Sequence, residues 1–168
     1  TPIACRTKRE TEDLIGFFAN TLVLRTDLSQ NPTFRQLLER VREVVLGGQE
    51  HQELPFEELV DALKPARALS HSPLFQVLFA LQTTLAEAVR LPGLHVEITE
   101  VDAAAAKFDL SLDMAETEAG LEGAFEYNTD LFDAATVARM AGHFQTLLAG
   151  IVATPDCRLH ELPLLSVE

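Results

Sequence analysis

The residues of this chain best suited to nucleophilic, acid–base or metal chemistry are five histidines and two cysteines. They are His51, His71, His95, His143 and His160, with Cys5 and Cys157. No two histidines lie three or four residues apart, and the cysteines do not form a Cys-x-x-Cys pair, so their spacing predicts no metal site. The sequence also lacks a Gly-x-Ser-x-Gly nucleophile turn and a Gly-x-x-x-x-Gly-Lys phosphate loop. These patterns therefore predict neither a metal site, a serine nucleophile nor a phosphate loop.

The formal net charge is −13, and the acidity is concentrated in the second half of the chain. Residues 1–90 contain 10 basic and 12 acidic residues, a net of −2, whereas residues 91–168 contain 3 basic and 14 acidic, a net of −11. Such a surface repels phosphate backbones and anionic lipids, so we expect neither nucleic acid nor a membrane as a partner. We interpret the acidity as a solvated face, with a docking site for a basic partner as the alternative.

Length and composition fit one globular domain. A chain of 168 residues with 47% hydrophobic and 23% charged residues is able to bury a core. No apolar run approaches the roughly 20 residues of a membrane span, and Thr1-Pro2 in place of an initiating Met indicates an excised segment. Two cysteines without a nucleophile context suit free structural thiols in a reducing cytoplasm.

The first half of the chain predicts a strand and two helices. Residues 17–28 are rich in apolar and β-branched residues and predict a buried strand that ends in a turn. An amphipathic helix should follow, with Asn31 able to cap it, Thr33 three residues before Gln36, and Gly47-Gly48 as its end. A second helix is predicted to start at Pro55 and to end at Lys64-Pro65.

The second half predicts strands followed by a long helix. Residues 73–81 form a nearly continuous apolar run, typical of a central strand covered on both faces. Residues 94–101 alternate as a strand with one solvated face, and residues 108–114 and 121–127 fit an antiparallel hairpin. The last helix is capped by Asp133. Strands and helices in this order predict an α/β fold with a mixed sheet that helices cover on at least one face.

Two short runs add polar groups to this framework. In residues 15–21, Gly16 permits a close backbone approach, while Asn20 and Thr21 bring hydrogen-bonding side chains into an apolar strand. If buried, those groups must be satisfied, either by backbone or as the lining of a substrate channel. In residues 51–57, a histidine and an acid stand just before a helix whose free amides they could cap, which is a structural role.

The runs IGFFANT at 15–21, HQELPFE at 51–57 and RALSHSPL at 67–74 resemble signature regions of the condensation domains of nonribosomal peptide synthetases. The resemblance continues through KFDL at 107–110, EYNTDLF at 126–132 and LLS at 164–166, and so covers nearly the whole chain. The family's two adjacent histidines, followed three residues later by Asp-Gly, are absent from these 168 residues. Departures from the family pattern stand at Ala19, Glu53, Ala68, His71 and Ser72.

The resemblance implies the C-terminal half of a V-shaped, chloramphenicol acetyltransferase-like fold, with residues 1–160 as this subdomain and 161–168 as the start of a linker. The implied activity is amide-bond formation between carrier-bound donor and acceptor thioesters. This half would supply a cleft wall and one side of the substrate tunnel, and would be inactive alone. The implied partners are the N-terminal subdomain with the His-His motif, donor and acceptor carrier domains bearing 4'-phosphopantetheine, and a downstream adenylation domain. No cofactor is expected to bind this chain directly.

The resemblance also assigns residues. The substrate-channel candidates are Asn20, Thr21 and Gln76. The motif residues with structural roles are Gly16, Phe17, Phe18, Arg25, His51, Gln52, Pro55, Phe56, Glu57, Arg67, Ser70, Pro73, Leu74 and Phe75. Two alternatives stay open: a protein-interaction module without turnover, and half of a related domain for epimerisation, cyclisation or acyl transfer.

Overall fold

The structure is a computed structural model that describes residues 1–65, 72–82, 93, 105–117 and 120–165. The chain divides into two compact units. One consists of residues 1–67 and 135–168, and the other of residues 68–134. The predicted strand at 94–101 lies outside the described residues.

The first unit contains a short two-stranded sheet and three helices. Strands β1 (Pro2–Ile3) and β2 (Asn20–Thr21) pair antiparallel. The helices are α1 (Phe34–Glu50), α2 (Phe56–Leu63) and α3 (Ala134–Ala153). The predicted start and end of α2 are confirmed, because Pro55 is its N-cap and Lys64 adopts the left-handed conformation that ends it. The start of α3 directly after Asp133 is also confirmed.

The buried strand predicted at residues 17–28 is wrong, because only Asn20 and Thr21 are in a strand. A strand needs a neighbouring backbone with which to exchange hydrogen bonds. The only ladder partner in the described part of the chain is β1, which has two residues, and one further bond runs from the Leu22 amide to the Thr1 carbonyl over 2.9 Å. The apolar composition of the run therefore did not translate into a strand.

The N-terminus of α1 is capped by Thr33 and not by Asn31. The Thr33 hydroxyl accepts from the Gln36 amide, and the Gln36 side chain accepts from the Thr33 amide, which completes a capping box. Asn31 instead takes a positive φ of 49° and bonds to the C-terminal end of the chain. The next two helical amides, of Phe34 and Arg35, donate to the carbonyls of Cys157 and Pro155.

Helix α1 does not end at Gly47-Gly48 but continues to Glu50. A Cβ atom at position 48 would lie 3.1 Å from Cδ2 of Leu24, so the glycine allows that side chain to pack against the helix. The cost of a glycine in a helix, about 1 kcal/mol relative to alanine, is small enough for such packing to offset. The pair of glycines is therefore a packing feature and not a stop signal.

Residues 155–163, here called the C-terminal strap, lie along the turn that precedes α1. The strap accepts from the amides of Phe34 and Arg35. In the other direction, the Leu159 amide donates to the Pro32 carbonyl over 3.1 Å and the Arg158 guanidinium donates to the Asn31 carbonyl over 2.9 Å. Pro32 is fully buried and Leu162 is only 7% exposed. The strap is therefore part of the folded unit.

Two glycines of α3 provide a matched test of the strap contact. A Cβ atom at Gly150 would lie 2.7 Å from the Pro163 ring, whereas one at Gly142 would meet nothing within 4 Å. We expect Gly142→Ala to raise the free energy of unfolding by up to about 1 kcal/mol through helix propensity. Gly150→Ala should instead lower it by about 1 kcal/mol, because the strap must shift. Urea unfolding measures both, and equal stabilisation by the two variants would contradict the strap packing.

The second unit contains a three-stranded mixed sheet. The strands are β3 (Val77–Gln82), β4 (Leu110–Thr117) and β5 (Gly120–Tyr127), in the order β3-β4-β5. Strand β3 pairs parallel with β4, and β4 pairs antiparallel with β5. These pairings confirm the predicted antiparallel hairpin and the predicted sheet of parallel and antiparallel strands.

The prediction of a central β3 covered on both faces differs from the structure. Among the described strands β4 is central, and Val77, Phe79 and Leu81 of β3 are 62%, 46% and 50% exposed. On the opposite face of the sheet, Ala80 and Ser111 are buried. A continuous apolar run cannot by itself show which of its faces is covered, because the run carries no alternation.

Candidate functional site

Three segments of the first unit, near residues 5, 17–21 and 53–57, surround a cavity of about 440 Å³. Its lining is mixed, with three phenylalanines beside hydroxyl, amide, thiol and carboxylate groups. The lining residues are Cys5, Phe17, Phe18, Ala19, Asn20, Thr21, Glu53, Pro55, Phe56 and Glu57. The fold thus brings together the signature runs at 15–21 and 51–57, which are about 30 residues apart in the sequence.

The Asn20 side chain joins these two runs. Its Nδ2 donates to the carbonyls of Gln52 and Leu54 over 3.1 and 2.7 Å, and its Oδ1 accepts from the Phe56 amide over 3.1 Å. Pro55, the N-cap residue of α2, makes no side-chain cap bond. The Asn20 side chain, which lies in β2, therefore accepts from the first free amide of α2, that of Phe56. Asn20 thus holds the segment 52–56 against β2. His51, which was expected to cap α2, is instead the C-cap residue of α1.

The N-terminal segment adds two further bonds to the same loop. The Cys5 thiol donates to the Gln52 carbonyl over 3.2 Å, and the Thr7 hydroxyl donates to Oε1 of Glu53 over 3.1 Å. Cys5 takes a positive φ of 48°, an uncommon conformation for a residue with a side chain. Residues 5–7 therefore form one side of the site. No sequence pattern identifies them, because neither a positive φ nor a partner 47 residues away leaves a local signal.

Phe18 is held by a cation and by a close glycine. The Arg6 guanidinium carbon lies 4.3 Å from the centre of the Phe18 ring, within cation–π range. A Cβ atom at Gly16 would come within 3.1 Å of the same ring. The Arg6 guanidinium also donates to the carbonyls of Thr11, Glu12 and Leu14. Its positive charge therefore lies against residues 11–14, and Arg6 is not among the described residues that line the cavity.

The cavity combines apolar rings with polar groups that are suited to binding. Its described lining includes two carboxylates and no histidine, lysine or arginine. In the described part of the chain, no group of three or more His, Cys, Asp or Glu side chains is placed to hold a metal ion.

Three of the titratable groups with shifted pKa values lie elsewhere in this unit. The hydrogen bond between the Cys157 thiol and the Glu161 carboxylate raises the pKa of the thiol and lowers the pKa of the carboxyl. A hydrogen bond from the Ser29 amide lowers the pKa of Asp27.

The other described site residues are not among the residues that line this cavity. Arg25 is exposed, and Arg67 and Ser70 fall outside the described residues. The candidates of the second unit form a local cluster before β3. Gln76 Nε2 donates to the Ser72 carbonyl over 3.1 Å, and the Gln76 carbonyl accepts from the amides of Asp109 and Leu110. Phe75 packs its ring 5.3 Å from that of Phe108.

The loop that leads into β3 has a conformation typical of a tight turn. Leu74 has a positive φ of 70°, and the Phe75 amide donates to the Pro73 carbonyl over 2.9 Å. Pro73, Leu74 and Phe75 therefore set the entry into β3. Among the described residues, no helix combines the length and the apolar character that crossing a bilayer requires.

Comparison with known proteins gives the same assignment along the whole sequence. The family model for the condensation domain matches residues 1–168. A protein of the linear gramicidin synthase of Brevibacillus parabrevis is 52% identical over 170 residues, which cover 100% of this chain and 2% of that protein. The chain thus spans a small fraction of the length of the curated relatives it matches.

Two solved structures share the fold. A four-domain nonribosomal peptide synthetase bound to AMP and glycine is 28% identical with a TM-score of 0.87, covering 98% of this chain and 14% of that one. The X-domain in its complex with OxyB from teicoplanin biosynthesis is 31% identical with a TM-score of 0.80, covering 95% of this chain and 36% of that one. The predicted class, a mixed sheet with helices that forms part of a chloramphenicol acetyltransferase-like fold, is confirmed. This chain belongs to the condensation-domain family of the nonribosomal peptide synthetases.

Proposed function

We propose that this chain is part of a condensation domain that joins a carrier-bound donor to a carrier-bound aminoacyl acceptor. In that reaction the acceptor amine attacks the donor thioester carbon. A C–N bond forms, the C–S bond breaks, and the proton lost by the amine is balanced by the thiol released on the donor carrier. The match of the family model to residues 1–168 carries this proposal.

The contribution of this chain is positioning and exclusion of water. Two tethered reactants that are held in place avoid much of the entropic cost of a bimolecular step. The cavity supports this role because it offers apolar rings to an alkyl arm and polar groups to its amides. Its described lining includes no histidine, and the paired-histidine motif of the family is absent from the sequence. We therefore place the acid–base chemistry outside these 168 residues, on the family's paired histidines.

The residue roles follow from the contacts. Thr21 lines the cavity and is the channel residue best placed to meet a substrate. The amide of Asn20 is committed to backbone groups, so we assign Asn20 as a positioning residue that keeps the lining in shape. Gln76 stays a substrate-channel candidate, and its described contacts lie within the second unit.

The partners follow from the reaction. We propose donor and acceptor carrier domains, each with a 4'-phosphopantetheine arm, a downstream adenylation domain, and the part of the condensation domain that bears the histidine motif. This chain binds the arms as substrate and holds no cofactor of its own. Both cysteines are free, which suits a reducing compartment, and we place the protein in the cytoplasm.

A chimera tests the proposal. The 168 residues replace the matching segment of the gramicidin synthase protein described above, and amide product on loaded carriers is measured by mass spectrometry. We expect product from the chimera and none from a version that lacks the segment. The 168-residue chain alone should also give none. A folded chimera that binds its carriers but forms no product would contradict the proposal.

A second candidate function is a docking module without turnover. It is favoured by the X-domain, a relative of the same fold that has been solved in a complex with OxyB. The two functions differ in the chimera assay, since a docking module would retain partner binding while the chimera forms no amide.

A further inference from the structure

Three consecutive residues, 5–7, contact both walls of the cavity. The first wall is formed by residues 17–21 and the second by residues 53–57. The two outer members of the segment hydrogen-bond to the loop that leads into the second wall. The residue between them, Arg6, places its guanidinium over the Phe18 ring of the first wall. The segment therefore ties the two walls together.

The Arg6 guanidinium also fixes the backbone that leads into the first wall. It donates to the carbonyls of Thr11, Glu12 and Leu14, the last two over 3.2 and 2.9 Å. A guanidinium can serve several carbonyls at once because its five N–H groups diverge in a fixed planar fork, which an ammonium group lacks. The same group lies 4.3 Å from the centre of the Phe18 ring. Arg6 thus couples the path of this loop to the position of one ring of the cavity.

The Phe18 ring is also close to the backbone at Gly16. A Cβ atom at that glycine would lie 3.1 Å from the ring, so the ring is packed against the chain as well as against the cation. Because the ring belongs to the lining, a displacement of the ring changes the width of the cavity.

We propose that Arg6 is a positioning residue of the condensation reaction, which fixes the Phe18 ring relative to the wall at 53–57 and so sets the fit of the cavity to a substrate arm. Arg6 acts through Phe18, because it is not among the described residues that line the cavity. An arm is held alike in the ground state and in the transition state, so a displaced wall raises KM and leaves kcat unchanged. This inference rests on the proposed function for the identity of the arm.

The test is made in the chimera with Arg6→Ala and with Arg6→Lys, which keeps the charge but not the fork. KM is measured for the loaded donor and the loaded acceptor carrier, and the one that rises identifies the arm that the cavity takes. We expect Arg6→Ala to raise that KM about tenfold at unchanged kcat, and Arg6→Lys to raise it less. Methylguanidinium should restore KM in Arg6→Ala, whereas sodium chloride at the same ionic strength should not. Arg9→Ala removes an exposed positive charge three residues away and is the matched control that should change neither constant.

A second readout in the chimera needs no turnover. Cys5 lines the cavity, so S-methylpantetheine should slow the alkylation of Cys5 by iodoacetamide, as followed by mass spectrometry of the peptide that contains it. We expect Arg6→Ala to raise the concentration that gives half-protection about tenfold. Gly16→Ala, which crowds the Phe18 ring without removing a bond of Arg6, should raise it less.

Three results would overturn the proposal. A fall in kcat at unchanged KM is what a loss of folded protein produces, and it would make Arg6 a purely structural residue. Equal half-protection in Arg6→Ala and the unsubstituted chimera would uncouple Arg6 from the cavity, and no protection in the unsubstituted chimera would remove the arm from it. A chimera that forms no amide but shows the expected change in half-protection would contradict the proposed function and leave the role of Arg6 in shaping the cavity standing.

Discussion

Replacement of Asn20 with alanine is expected to lower the free energy of unfolding by about 2 kcal/mol, as measured in urea. The substitution removes the bonds from Asn20 to the carbonyls of Gln52 and Leu54 and the acceptor of the Phe56 amide, while the Gln52 carbonyl keeps the Cys5 thiol. The same change should speed hydrogen exchange at the Phe56 amide, because the first turn of α2 loses its cap.

Two further variants show whether the loss of stability comes from the lost hydrogen bonds of Asn20 or from its lost side-chain volume. Asn20→Asp keeps the acceptor for Phe56 but turns an oxygen toward two carbonyls, so at pH 7 it should be no more stable than Asn20→Ala. Asn128→Ala is the matched control, since it removes only one local bond, to the Asp130 amide, and should cost less than about 1 kcal/mol. Wild-type stability of Asn20→Asp would show that the two donor contacts are unimportant.

Removal of the C-terminal strap is expected to have the largest effect on stability. A chain that ends at Thr154 loses the acceptors of the Phe34 and Arg35 amides, the bonds to the carbonyls of Pro32 and Asn31, and the burial of Leu162. These four hydrogen bonds and one buried leucine together correspond to a loss of about 5 kcal/mol. The Arg35–Asp156 ion pair adds little, because both side chains are mostly exposed.

A second truncation locates the boundary of the folded unit. A chain that ends at His160 keeps the two carbonyl acceptors but loses Leu162 and the Pro163 contact with Gly150. We expect a loss of about 2 kcal/mol from this chain and almost none from one that ends at Leu165. The predicted boundary at residue 160 would then move to Pro163. Equal stability of the chains ending at 160 and 165 would favour the boundary at 160.

Local signals predicted the elements that depend on local physics. The ends of α2, the start of α3 after Asp133 and the β4–β5 hairpin all follow from caps, turns and periodicity. The strand predicted at 17–28 failed because a strand depends on a partner that the run itself does not specify. The end of α1 was misplaced because the fit of Leu24 against Gly48 is a tertiary contact.

The candidate site likewise contains some features that the sequence predicted and others that depend on tertiary contacts. The resemblance identified both runs that meet at the cavity, and Asn20 and Thr21 were predicted as polar groups in an apolar setting. The contribution of Cys5, Arg6 and Thr7 could not be predicted, because their partners become neighbours only on folding. Gln76 belongs to the second unit, where its contacts are local.

On the proposed function, this chain positions substrates while the proton chemistry lies elsewhere in the condensation domain. The most direct measurement is the pH dependence of kcat/KM for the chimera with Glu53→Gln, Glu57→Gln and His51→Gln combined, compared with the unsubstituted chimera. These changes remove the two carboxylates of the cavity and the imidazole of His51, the C-cap residue of α1. We predict that both limbs of the profile stay at the same pH, although KM changes because lining groups are altered. Loss or displacement of either limb would assign acid–base catalysis to this chain and would contradict the account.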